Sequence, residues 1–214
     1  MKIVASVAAA LAVALLTASC SLAGTPRTLD YASRLLPADA FPTGPATLIP
    51  AAQLPGIVAD LTLRPLSGEV NPARCTPPAV QTDTAVAAAG PGPSPGATLT
   101  QLVVSAEDSL ESFAAATAQC PSFRAGATGN QVVTTMITEE PVATGLNNAL
   151  TRMRLVRTLG AGNTQTVMEQ WLAQQGEVRL MVVVRQLGSV SDADRQIAQA
   201  FFDRAVAHVY GGEY

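Results

Sequence analysis

Lysine is all but missing from this 214-residue chain: of 13 basic residues, 12 are arginine, and Lys2 is the one lysine. No lysine after Lys2 can act as a nucleophile, form a Schiff base or cradle a phosphate. Histidine is as scarce, with His208 alone, and the cysteines number three, Cys20, Cys75 and Cys120. Two distant cysteines with one histidine fall short of the four ligands zinc prefers, so no metal site is expected. The formal net charge of −3 gives no positive footprint for DNA or RNA. No apolar run reaches the roughly 20 residues that span a bilayer as a helix. With no residue set at the spacing catalysis demands, no catalytic residue, cofactor or ligand-binding residue is assigned.

What is there begins at the N-terminus. Lys2 precedes an uncharged Ala/Val/Leu-rich run, residues 3–16, and the small residues Thr17, Ala18 and Ser19 follow. That pattern is a secretory signal, expected over residues 1–19. Cys20 directly after the small residues resembles the lipobox of bacterial lipoproteins, with Thr17 standing where that family usually has leucine. The resemblance implies that the Cys20 thiol receives a diacylglycerol, that the signal is cut before it, and that Cys20 becomes a membrane-anchored N-terminus. The alternative is an ordinary signal peptide with an incidental cysteine. Removing the signal leaves 12 arginines against 16 acids, a formal net charge of −4.

An odd cysteine count in an exported protein calls for an explanation. If Cys20 carries lipid, Cys75 and Cys120 remain as a pair, expected to be oxidised outside the cytoplasm. Closing their loop would add up to ~4 kcal/mol in the chain-entropy model. Two buried free thiols are the other possibility.

Residues 20–28 read as a short polar tether and 29–214 as a single α+β domain. A helical turn is expected near 29–36, and the prolines Pro42, Pro45 and Pro50 keep 38–53 extended. Residues 57–63 alternate well enough to suggest a first strand, stopped by Pro65. Residues 71–78 read as turns around Cys75, 90–96 as a loop, and 99–104 as a strand. Ser105 and Asp108 suggest a capped helix bearing Leu110, Phe113, Ala114 and Thr117, ending at Cys120-Pro121.

The second half is clearer. Residues 131–138, 151–158, 165–173 and 177–186 read as strands joined by turns at 160–163 and 174–176. Val167, Trp171, Leu180, Val182 and Val184 are core candidates, with Arg179 and Arg185 facing water on a sheet wet on one side. Ser191 caps a helix over 191–209 whose stripe Ile197, Phe201, Ala205 and Val209 covers the apolar face. The expected fold is α+β, an antiparallel sheet, a meander in its C-terminal half, with helices packed on one face.

Gly92-Pro93-Ser94-Pro95-Gly96 matches the G-x-S-x-G nucleophile elbow, and Asp192 or Asp194 and then His208 follow in hydrolase order. Pro95 counts against it, because the residue after the serine must donate a backbone N–H to an oxyanion hole and proline has none. Glu139 and Glu140 are neighbours that point to opposite faces of a strand, so they do not share a proton. Arg152, Arg154 and Arg157 mark one predicted strand. Arg152 and Arg154 share a face, suited either to an anion or to solvent.

The lipobox, a proline-rich lead-in, the loop Arg74-Cys75-Thr76-Pro77-Pro78, Cys120, and an antiparallel sheet closed by a C-terminal helix together resemble the small secreted lipoproteins of mycobacteria. Some of these have domains of unknown function; others are similar to the extracellular sensor domain of a mycobacterial serine/threonine kinase, a type with two disulfides. Abundant Ala, Gly, Pro and Arg with almost no Lys also fits the GC-rich coding of an actinobacterium. The resemblance implies a non-catalytic, lipid-anchored domain at the extracytoplasmic face of the cell membrane. Its expected partners are the membrane, through the lipid, and either an apolar or amphipathic envelope ligand or an envelope protein. Nucleic acid is not expected, and a serine hydrolase is the least favoured alternative.

Overall fold

The computed structural model describes residues 30–126, 131–142, 149–161 and 164–211. The expected signal peptide, Cys20, the tether and part of the turn at 160–163 lie outside the described residues. The elements in order are β1 (Thr47–Leu48), α1 (Leu54–Thr62), β2 (Gln81–Pro91), β3 (Thr98–Ser105), α2 (Leu110–Ala118), β4 (Ser122–Ala125), β5 (Gln131–Glu139), β6 (Thr151–Ala161), β7 (Thr164–Gln175), β8 (Val178–Leu187) and α3 (Asp192–Tyr210). The strands form one eight-stranded sheet, β1-β2-β3-β8-β7-β6-β5-β4, antiparallel throughout. The α+β class and the C-terminal meander are as the patterning predicts. No helix among the described residues is long and apolar enough to cross a membrane.

Strands β4 to β8 are sequential neighbours, and β8 then pairs with β3, Leu99 opposite Val184 and Val103 opposite Leu180. Helix α2 carries the chain from β3, inside the sheet, to β4 at its far edge. Side chains alternate across a strand, and here both parities are buried. Leu99, Val103, Trp171, Leu180, Val182 and Val184 pack beneath Phe201, Phe202 and Val206 of α3. Leu102, Val104, Leu155, Met168, Leu172, Met181 and Val183 pack beneath Leu54, Val58 and Leu61 of α1 and Leu110 and Phe113 of α2. The helices expected on one face are therefore shared between two, and the central strands have no wet side.

This arrangement corrects several local expectations. Residues 57–63 are not a strand: Leu54, Val58, Leu61 and Thr62 are the buried positions of α1, a spacing of four and three that fits a helix face. Pro55 lies in the first turn, where its missing N–H costs nothing. The helix stops at Leu63, left-handed at φ 59°, with Pro65 soon after. The cap of α2 is Ser109, whose hydroxyl accepts from Ser112 N at 3.2 Å; Ser105 is buried inside β3. In α3, Ser191 caps as expected, accepting from Asp194 N at 3.1 Å. Ile197, however, is exposed, and Ala198 and Phe202 share the buried stripe with Phe201, Ala205 and Val209.

Arg179 was expected in water and is 1% exposed. Its Nε donates to Gln174 Oε1 at 2.8 Å, and Nη2 donates to the Asp108 carbonyl at 2.8 Å and carboxylate at 3.1 Å. Arg185 is partly covered and paired with Asp60 of α1. Cys75 and Cys120 form the expected disulfide, with Sγ–Sγ 2.02 Å and Cα–Cα 5.5 Å. It ties the loop before β2 to the segment just after α2.

Candidate functional site

The serine motif is a hairpin turn. Strand β2 ends at Pro91 opposite Thr98 of β3, and Gly92 N donates to Ala97 O at 2.8 Å. A Cβ at Gly92 would come within 2.6 Å of Ala97 Cβ, so this close turn needs glycine there. Ser94 Oγ does meet an expected acid, donating to Asp194 Oδ2 at 2.6 Å. No imidazole stands between them: His208 lies in the last turn of α3 with Nε2 3.1 Å from Ser33 O. Fourteen residues of helix separate it from Asp194, about 21 Å at 1.5 Å per residue.

The Ser94 hydroxyl, with help from Ser191 and Arg195, holds the Asp194 carboxyl below the usual carboxylate range, against the opposing effect of burial. Ser94→Ala is expected to cost about 1 kcal/mol at neutral pH. Because the folded value is depressed, that difference is present above pH ~4 and fades as pH falls through the folded value. Urea midpoints of the two proteins across pH 2–7 test this, and a difference independent of pH would refute it.

The other sequence candidates are dispersed. Glu139 and Glu140 are exposed at the end of β5. Arg152 and Arg154 share the face covered by α3, as their spacing requires, but are engaged there. Arg152 pairs with Asp203 at 3.0 Å, and Arg154 pairs with Glu169 at 3.1 Å while lying 5.0 Å from the Trp171 ring centroid. Glu169 also accepts from Arg195 at 2.7 Å, so its buried carboxylate joins β6, β7 and α3. Trp171 is core, with Nε1 donating to Gln199 at 2.8 Å. No cluster of metal-ligating side chains occurs among the described residues.

Arg157 is different. An odd step from Arg154 turns it to the opposite face, where it is 3% exposed beneath α1 and α2. Its Nη1 donates to Thr62 O at 2.9 Å, and its guanidinium lies 5.9 Å from the Phe113 ring centroid. Nε has no hydrogen-bond partner, and Arg157 has no ion pair among the described residues. Burial pushes its pKa down to about 10. Arg179 sits 5.2 Å from the same ring and has Asp108 as counter-ion. Directly across the strand pair from Arg157 is Thr135 of β5. Its hydroxyl oxygen is also buried without a partner.

Both groups line a small recess, open at its mouth, between the disulfide, α2 and the sheet. Its apolar walls are Pro77, Phe113, Ala116, Phe123 and the two cysteines, and the exposed Arg74 stands at the rim. A second, tighter recess meets it at Pro78, Phe113 and Arg157 and runs toward Val80, Leu172 and Met181. Among the described residues no acidic side chain lines either. A wider hollow near Arg64, Glu69 and Ala73 is open to solvent and holds no unpartnered buried group. Sequence patterning placed Arg157 on a strand but gave no sign of its isolation, which depends on α1, α2 and Thr135 converging. No family model matches this chain, and no match to a curated protein is found.

Proposed function

We propose that this protein is a non-catalytic, extracytoplasmic lipoprotein, anchored to the membrane through Cys20, whose domain binds a small amphipathic envelope molecule in the recess beside Cys75 and Cys120. The observation that carries the reading is Arg157, a buried cation that has no counter-ion among the described residues, beside a Thr135 hydroxyl with no partner among them, in a recess walled by apolar side chains. Buried charge is costly unless paired, and binding sites combine apolar walls with a few convergent polar groups. The signal-like N-terminus and the resemblance to small mycobacterial lipoproteins and a kinase sensor domain support the address. A second reading, a docking lipoprotein for an envelope protein, is favoured by Val132 and Met136, which are exposed on one face of β5 at 38% and 61% next to edge strand β4.

Protein taken from the membranes of its own host should show a diacylglyceryl adduct on Cys20, a gain of about two daltons on reduction, as one disulfide requires, and a stoichiometric bound amphiphile. Intact mass with and without reductant, with lipid analysis of the same sample, reads all three. A mature chain that begins elsewhere without an adduct sinks the anchor. An empty domain shifts the weight to docking.

A further inference from the structure

We infer that the recess takes a carboxylate: the head group of a short-chain monocarboxylic acid is held side-on by Arg157 Nε and Nη2 and by the Thr135 hydroxyl, with its hydrocarbon against Phe113, Ala116 and Phe123. This rests on the binding reading above and names the ligand's chemistry. Nη1 is committed to the Thr62 carbonyl, so the guanidinium edge left to a ligand is the one carrying Nε and Nη2. Two parallel N–H donors on that edge match the two oxygens of a planar carboxylate. Thr135 lies opposite Arg157 in the β5–β6 register, where cross-strand Cβ atoms are about 5 Å apart, and its O–H can serve the same oxygen pair.

Charge and size point the same way. Among the described residues the lining holds Arg157 and Arg74 and no acid, so an anion is favoured. An anion here also supplies the counter-ion that Arg179 already has in Asp108. The recess is small and open at its mouth, so it suits a head group with a few methylenes lying along the opening rather than a full-length acyl chain. Each buried methylene should tighten binding about fourfold.

The test uses the full lipidated protein in detergent, titrated with hexanoate, with hexanol as its neutral counterpart and with inorganic phosphate. Calorimetry and the NMR resonance of the Arg157 Nε–H are the readouts. Hexanoate is expected to bind saturably and shift that resonance, with hexanol at least tenfold weaker and phosphate weaker than hexanoate. Thr135→Val, which keeps shape and charge, should weaken hexanoate about tenfold, the loss of one hydrogen bond to a charged group. Arg157→Met should abolish the preference for hexanoate over hexanol. Equal binding of hexanol, tighter binding of phosphate, or an unchanged preference in Thr135→Val would each overturn the assignment. Isolation of the native protein with a neutral or phosphorylated amphiphile would overturn it too, while leaving the binding function standing.

Discussion

Replacing Arg179 by methionine is expected to lower the unfolding free energy by about 3–5 kcal/mol, the usual result of removing one partner from a buried ion pair. The guanidinium is bonded to Gln174 and to both the carbonyl and the carboxylate of Asp108, and Gln174 itself donates to the Asp108 and Gly176 carbonyls. The network fastens the β7–β8 hairpin to the segment leading into α2. Methionine would fill most of the volume but leave the partly buried Asp108 carboxylate and the Gln174 oxygen without a donor.

Arg157→Met on the same face is expected to change stability by no more than about 1.5 kcal/mol, because no anion is stranded and opposing effects nearly cancel. A pKa pushed down to about 10 means that burying the charged form costs ~3 kcal/mol, and the substitution removes that cost. Against it stand the lost bond to the Thr62 carbonyl, about 1–3 kcal/mol, and the ring contact, about 1 kcal/mol. The sign of the pH effect follows. Below the folded value both folded and unfolded chains carry the proton, so the penalty is fully present at neutral pH and is relieved only as pH rises above about 10. Urea denaturation of both variants at pH 7 decides the matter. A loss below about 1.5 kcal/mol for Arg179→Met, or a loss above about 3 kcal/mol for Arg157→Met, would show that counter-ions do not govern these sites.

Loss of the disulfide should have an effect of similar size. Cys75 and Cys120 are 45 residues apart, and the chain-entropy model assigns a loop of that length about 4 kcal/mol. For a domain of this size 1 kcal/mol corresponds to about 2–4 °C in Tm, so Cys75→Ala/Cys120→Ala should melt roughly 8–16 °C lower. Reduction of the unmodified protein should lower its Tm by a similar amount. Both cysteines wall the recess, so hexanoate binding should weaken in parallel. A Tm within about 3 °C of the parent would mean that the surrounding packing already restrains the loop.

Much of the fold was legible in local patterning. The strands β5 to β8 announced themselves through β-branched residues between short turns, and α3 through Ser191 and its early acids. Residues 57–63 misled because Ile57, Ala59, Leu61 and Leu63 alternate, while the helix actually buries Leu54, Val58, Leu61 and Thr62. Over so short an apolar run, periods of 2 and 3.6 are hard to separate. The one-sided sheet was misjudged for a related reason. Arg179 reads as a solvent position, yet it is buried, as are Arg157, Glu169, Gln170 and Gln174, because each is joined by hydrogen bonds to polar partners from distant segments or neighbouring strands, Arg157 through the Thr62 carbonyl.

The sequence by itself determined the α+β class, the antiparallel meander and the capped C-terminal helix, since these follow from side-chain periodicity and capping chemistry within the chain, and it offered Cys75 and Cys120 as a pair that the structure shows bonded. Only the tertiary structure decided that both faces of the sheet are covered, that Ser94 meets Asp194 far from His208, and that Arg157 is left beside Thr135 with no counter-ion among the described residues. Those outcomes depend on which distant segments arrive at a given strand position, and charge compensation is a property of that neighbourhood, not of the residue.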